Sequence, residues 1–158
     1  MQPGPLISIG VSEFKDIGDR LLVIFDGRCG FCHRSVRWFL TRDRNDRMRF
    51  IPSDAPAAAG LLARHGLTSS AAGGNVGTIL VAVFLGTPAE RLLVRSAAVL
   101  ALLAQLPKPW PAIATILARI PRPIRDAGYR LVARFRYRLF GRLDACPIPT
   151  AWEQNRFL

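Results

Sequence analysis

The segment that most constrains this chain is a short apolar run that leads directly into a close cysteine pair. Leu21-Leu22-Val23-Ile24-Phe25 is followed by Asp26-Gly27-Arg28-Cys29-Gly30-Phe31-Cys32-His33. The unbroken run is rich in strand formers and reads as a buried strand. From Cys32 to about Thr41, Val36, Phe39 and Leu40 recur at helical spacing. The C-x-x-C therefore sits at a strand-to-helix junction. Two cysteines three apart at a helix start share a face and lie close enough to form a small disulfide ring. The first meets free backbone N–H groups and the positive end of the helix dipole, which favour a thiolate. Cys29 is expected to attack a substrate disulfide, and Cys32, expected to be the more buried, to resolve the mixed disulfide.

The neighbours of the pair have two readings each. Arg28 adds a positive charge beside Cys29 and favours its thiolate. Asp26 is either a turn former in Asp-Gly or a carboxylate that takes a proton from Cys32. His33 is an exposed helix residue or a proton shuttle. Phe31 is core or an apolar contact for a partner. Cys146, the third thiol, is an inert buried group or a further redox partner.

The rest of the chain supplies a plan around this junction. Arg47–Ile51 reads as a second strand stopped by Pro52, and Ala57–His65 as a helix closed by Gly66. Thr78–Leu85 and Arg91–Arg95 form a hairpin across Gly86-Thr87-Pro88. Ser96 is placed to cap a helix running to about Leu106. The prolines of 107–111 break that helix. A short helix over Ala112–Ile120 follows, then a long basic one over Arg122–Phe140 with Gly141 at its end. The order is β-α-β-α-β-β-α, a parallel pair plus an antiparallel hairpin covered by helices. That is an α/β (α+β sandwich) fold with a thioredoxin-like core and a C-terminal helical extension. Residues 1–20 read as an N-terminal tail or edge segment. One domain spans 21–149, with its core at 21–106 and the basic extension at 107–149, and 150–158 reads as a C-terminal tail.

Composition excludes several classes. At 158 residues the length suits one domain, and 50% hydrophobic residues is too many for a disordered chain. Three cysteines are too few for a disulfide-built mini-protein. The one long apolar stretch, Ala97–Ile120, is interrupted by Gln105, Lys108 and three prolines, so it reads as two helices and not as a membrane span. Met1–Lys15 lacks a basic region followed by an apolar core, and a cytoplasmic location is expected. In that compartment a close cysteine pair is catalytic or metal-binding before it is structural.

Two metal readings compete with the redox one. Cys29-Gly30-Phe31-Cys32-His33 matches the haem attachment pattern, with Met48 the sole internal methionine as a distal ligand. Absence of an export signal and the strand before the motif disfavour it. Zinc on Cys29, Cys32, Cys146 and either His33 or His65 lacks a second paired spacing. No cofactor is expected, because the dithiol is itself a redox centre.

The formal charge of +11 is concentrated at the end of the chain. From 119 to 142 there are eight arginines against one acid, Asp126. Arg130, Arg134 and Arg138 form a stripe, while Ile124, Leu131, Val132, Phe135 and Leu139 form an apolar face expected to pack on the core. The stripe is a candidate contact for an acidic partner or an anionic membrane surface. Nucleic acid is disfavoured, since no helix-turn-helix, finger spacing or aromatic stacking motif accompanies the charge. Trp110, Trp152 and Phe157 read as packing residues.

Several of these segments together resemble the DCC family of thiol–disulfide oxidoreductases. They are Ile24-Phe25-Asp26-Gly27-x-Cys29-x-x-Cys32, Arg49-Phe50-Ile51-Pro52, Arg95-Ser96-x-Ala98 and Ile120-Pro121-Arg122-Pro123. The basic run from Tyr129 to Gly141 and the terminal Asp144-Ala145-Cys146-Pro147 continue the likeness. The resemblance implies a thioredoxin-like fold and protein-disulfide reductase chemistry at Cys29 and Cys32, on a protein or small-molecule disulfide. Thioredoxins carry a cis-proline before the third strand, whereas this chain has Val76-Gly77-Thr78 there, so substrate is expected to be held differently. The rival from another class is a binding module, with structural or zinc-holding cysteines and the basic helix as its docking element.

Overall fold

The computed structural model describes Phe14 and residues 17–67, 78–144 and 149–158. Four strands form one sheet in the order β2-β1-β3-β4. β1 (Leu21–Phe25) lies parallel to β2 (Met48–Pro52), with Leu21 beside Met48 and Phe25 beside Pro52. β3 (Leu80–Val83) runs antiparallel to β1, and β4 (Arg91–Val94) antiparallel to β3. The helices are α1 (Gly30–Leu40), α2 (Pro56–Arg64), α3 (Arg95–Gln105), α4 (Trp110–Ala118) and α5 (Arg122–Phe140). This is the thioredoxin-like α+β plan with a helical extension.

The unbroken apolar run of β1 follows from its burial on both faces. Leu21, Val23 and Phe25 join one core with Val36, Phe39 and Leu40 of α1, Leu102 and Leu103 of α3, and Ala114 of α4. Leu22 and Ile24 enter the other core, with Ala58, Leu61 and Leu62 of α2. A sheet so enclosed holds the end of β1, and therefore the Cys29 turn, in a fixed position.

Both chain ends contribute to the core more than tails would. Phe14 and Ile17, in the segment read as a tail or edge, are buried against the α2 side of the sheet. At the other end, Phe157 pairs with Phe50 as a parallel bridge and stacks near Phe25. Leu158 N–H donates to the Phe50 carbonyl at 3.0 Å, and Arg156 reaches the buried Asp43 at 2.7 Å. The segment 150–158 thus covers the open edge of β2, where unpaired backbone groups would otherwise invite aggregation. Trp110 packs edge-on against Trp38, as expected, whereas Trp152 is largely exposed.

Two expectations for the helices do not hold. Ser96 does not cap α3: Val94 holds the cap position, with no side-chain cap bond. Instead the Ser96 hydroxyl and backbone N–H both donate to Asp126 of α5, so the acid beside the first turn of α3 comes from another helix. The apolar face of α5 does not pack on the core either. Ile124, Leu131, Val132, Phe135 and Leu139 are exposed, and the one fully buried α5 side chain is Arg136. What α5 turns inward is polar: Asp126, Tyr129, Arg136 and Tyr137. Tyr129 Oη accepts from the Ile79 N–H at 2.8 Å, which ties α5 to the approach to β3. Among the described residues, no helix is long and apolar enough to cross a membrane.

Candidate active site

Cys29 is the cap residue of α1, with an extended backbone at φ −98° and ψ 116°. Its Sγ accepts the Cys32 backbone N–H at 3.3 Å. The junction therefore places Cys29 where the free N–H groups of the helix start stabilise negative charge on sulfur. Asp26 supports the turn: its Oδ1 accepts the Arg28 backbone N–H at 3.0 Å. Both cysteines are free thiols.

The burial order is the reverse of that expected. Cys29 is fully buried, while Cys32 is partly exposed. The cause is the chain beyond α5. Arg142 pairs with Cys29 as an antiparallel bridge, and Leu143 N–H donates to the Arg28 carbonyl at 2.8 Å. A Cβ added to Gly30 would stand 2.6 Å from the Phe140 carbonyl oxygen, so only glycine admits this close approach. Residues 140–143 thus form a strap over the first cysteine.

Gly30→Ala should push that strap away. The expected result is faster alkylation of Cys29 by iodoacetamide, with a loss of stability of roughly 1–3 kcal/mol from overpacking. An unchanged Cys29 alkylation rate would mean that the strap does not limit access.

A buried cation completes the cluster. Arg136 Nη1 lies 3.6 Å from Cys32 Sγ, and its Nη2 lies 3.4 Å from Asp26 Oδ2. The Tyr137 hydroxyl donates to the same Asp26 oxygen and accepts from Arg136 at 3.1 Å. Arg136 Nε is buried and has no acceptor among the described residues. The Cys32 thiol is pushed far up, first by burial, then by its hydrogen bond with Cys29 and the charge of Cys29; Arg136 opposes this and Asp26 adds to it. Burial opposes the charge of Arg136, but its contacts with Cys32, Tyr137 and Cys29 outweigh that and raise its pKa above the ordinary guanidinium value.

The expected auxiliaries divide. Asp26 is both turn former and member of the charged cluster. Arg28 projects its side chain to solvent, and the cation that reaches the dithiol is Arg136. His33 Nε2 is bonded to the Gly27 carbonyl at 2.9 Å, with its ring edge-on to Phe25, so it braces the turn. Phe31 stacks against Phe140 at 5.1 Å and belongs to the contact between α1 and the end of α5. Arg136 and Tyr137 were hidden within the basic run. Their signal was the spacing Asp126, Tyr129, Ala133, Arg136, Tyr137, a third face distinct from both the Arg130 stripe and the apolar residues.

This geometry can be set beside known proteins. The DCC1-like thiol-disulfide oxidoreductase family profile matches residues 23–142, from the middle of β1 to the bridge over Cys29. The chain belongs to that family. DCC1-like membership supports a thiol–disulfide redox role in general. A chloroplastic DCC family protein of Arabidopsis thaliana is 31% identical over 137 residues, covering 87% of this chain and 74% of the relative. The uncharacterised YuxK protein of Bacillus subtilis is 27% identical over 144 residues, covering 91% and 97%. No solved structure matches at a significant level.

The other residues singled out in the sequence lie apart from the dithiol or outside the described residues. His65 is bonded to Glu90 at 2.8 Å, beside Arg64, at the end of α2. Cys146 falls outside the described residues, as do Val76 and Gly77 before β3. Among the described residues, no three His, Cys, Asp or Glu side chains gather as a metal site. Arg130, Arg134 and Arg138 are exposed on α5, away from the buried Arg136.

Proposed function

We propose that the chain reduces disulfides of a protein or small molecule through the Cys29–Cys32 dithiol. The observation that carries this reading is the Cys32 N–H on Cys29 Sγ, with Arg136 on Cys32 Sγ. The two sulfurs are treated differently by their surroundings. Cys29 receives a helix-start N–H, while Cys32 is held protonated by burial and by the charge of its neighbour.

In the first step Cys29 thiolate, uncovered by movement of the 140–143 strap, attacks one sulfur of the substrate disulfide. One substrate thiolate leaves, and Cys29 becomes part of a neutral mixed disulfide. That change removes the charge of Cys29, one of the influences that keep the Cys32 proton on. Arg136 remains and favours the Cys32 thiolate. Cys32 gives its proton to Asp26 or solvent and attacks Cys29 Sγ. The second substrate thiolate leaves, and the Cys29–Cys32 disulfide is formed. Two electrons have passed from the dithiol to substrate, and an external dithiol restores the reduced pair.

The test is a single-turnover reaction of fully reduced, metal-free protein with an excess of a small aromatic disulfide. Release of two thiols from the Cys29–Cys32 pair is expected, with the pair recovered by peptide mass spectrometry as one internal disulfide carrying no substrate adduct. Release of none, or of one with Cys32 still alkylatable, would overturn the dithiol mechanism.

A further inference from the structure

We propose that the outward face of α5 docks on an anionic lipid bilayer. This is independent of the dithiol chemistry. Ile124, Leu131 and Leu139 are 63%, 60% and 73% exposed, and Val132 and Phe135 are exposed with them. On α5 these side chains fall on the side of the helix away from Asp126, Tyr129, Ala133, Arg136 and Tyr137, the residues it turns to the domain. A solvated helix is polar on its outer face; this one is apolar there and polar inside.

The charges decide what covers it. Arg130, Arg134 and Arg138, all exposed, run along one flank of the apolar stripe at four-residue spacing, and Arg119 and Arg122 are exposed near its start. The only acid between 119 and 142 is Asp126, which is occupied with Ser96 at the inner side. A second copy would bring arginine against arginine, and the repulsion disfavours a symmetric pair. Nucleic acid would take the arginines and leave the apolar stripe wet. An anionic bilayer surface takes both at one level: aliphatic side chains enter the acyl boundary while guanidinium groups extend to the lipid phosphates. The same helix carries Arg136 and Tyr137 to the dithiol, and its end leads into the strap over Cys29.

The test is sedimentation of the full chain with vesicles of phosphatidylglycerol and phosphatidylcholine, against vesicles of phosphatidylcholine alone. Two variants alter exposed positions only: Arg130→Gln/Arg134→Gln/Arg138→Gln, and Leu131→Gln/Leu139→Gln. Wild type is expected to bind the anionic vesicles and to be released by salt. The triple variant should lose partitioning by roughly a hundredfold, and the double variant by about tenfold or more. Circular dichroism checks that both remain folded. Failure of wild type to bind, equal binding to phosphatidylcholine alone, or unchanged binding by both variants would overturn the proposal. So would a dimer that both variants dissociate in the absence of lipid binding, which would assign the face to a second copy.

Discussion

Cys29→Ser is expected to reduce thiol release from a small disulfide to the uncatalysed background, because serine at the α1 cap cannot form the mixed disulfide. Cys32→Ser is expected to behave differently. It should release one thiol per chain and stop, leaving substrate bound to Cys29 as an adduct visible by mass spectrometry. The contrast rests on the helix-start position of Cys29 and the protonated state of Cys32. If Cys29→Ser retains full activity, or if the adduct in Cys32→Ser lies elsewhere, the assignment of roles is wrong. The reversed burial makes this a sharp test, since the more exposed Cys32 would be the first sulfur reached if access alone decided.

The second large effect concerns Arg136. It is 4% exposed and faces Asp26, 3% exposed, at 3.4 Å. Removing one member of a buried ion pair leaves the other charge uncompensated, at about 3–5 kcal/mol. Arg136→Met should fall toward the lower end, because Asp26 keeps the Arg28 N–H and the Tyr137 hydroxyl. The double variant Asp26→Asn/Arg136→Met should recover part of the loss, since no buried charge is left alone. Urea unfolding measures both. The same substitution withdraws the cation from Cys32, so resolution of the mixed disulfide should slow by roughly tenfold or more. A loss below about 1 kcal/mol in Arg136→Met would contradict the buried pair. Normal resolution would remove Arg136 from the chemistry.

The legible parts of this molecule are those set by local pattern. β1, bounded by the apolar run and by Asp26-Gly27, lies at Leu21–Phe25 as read, and α5 spans Arg122–Phe140 with Gly141 after it. The dithiol was legible for the same reason: its junction is contained within a dozen residues. Arg136 was not, because it meets Cys32 across 104 residues of sequence and looks there like any other member of a basic run. Helical periodicity identifies which residues of α5 share a face, but not what that face meets. The ordinary expectation for an amphipathic helix puts the apolar side on the core. The domain instead takes the side bearing Tyr129 and Tyr137, whose hydroxyls serve the Ile79 N–H and Asp26. Cover of Cys29 was invisible for a related reason: it depends on a bridge to Arg142 and on the missing side chain of Gly30, neither of which leaves a periodic trace.

Whether Cys29 and Cys32 form a reversible redox couple is read from a redox titration in glutathione buffers. Samples are quenched by alkylation and the state of each cysteine is read by peptide mass spectrometry. A single two-electron transition is expected, in which Cys29 and Cys32 lose alkylation together, form one disulfide, and recover fully when a dithiol is added. Cysteines that stay alkylatable across the whole glutathione range, or that form only separate glutathione adducts, would contradict it.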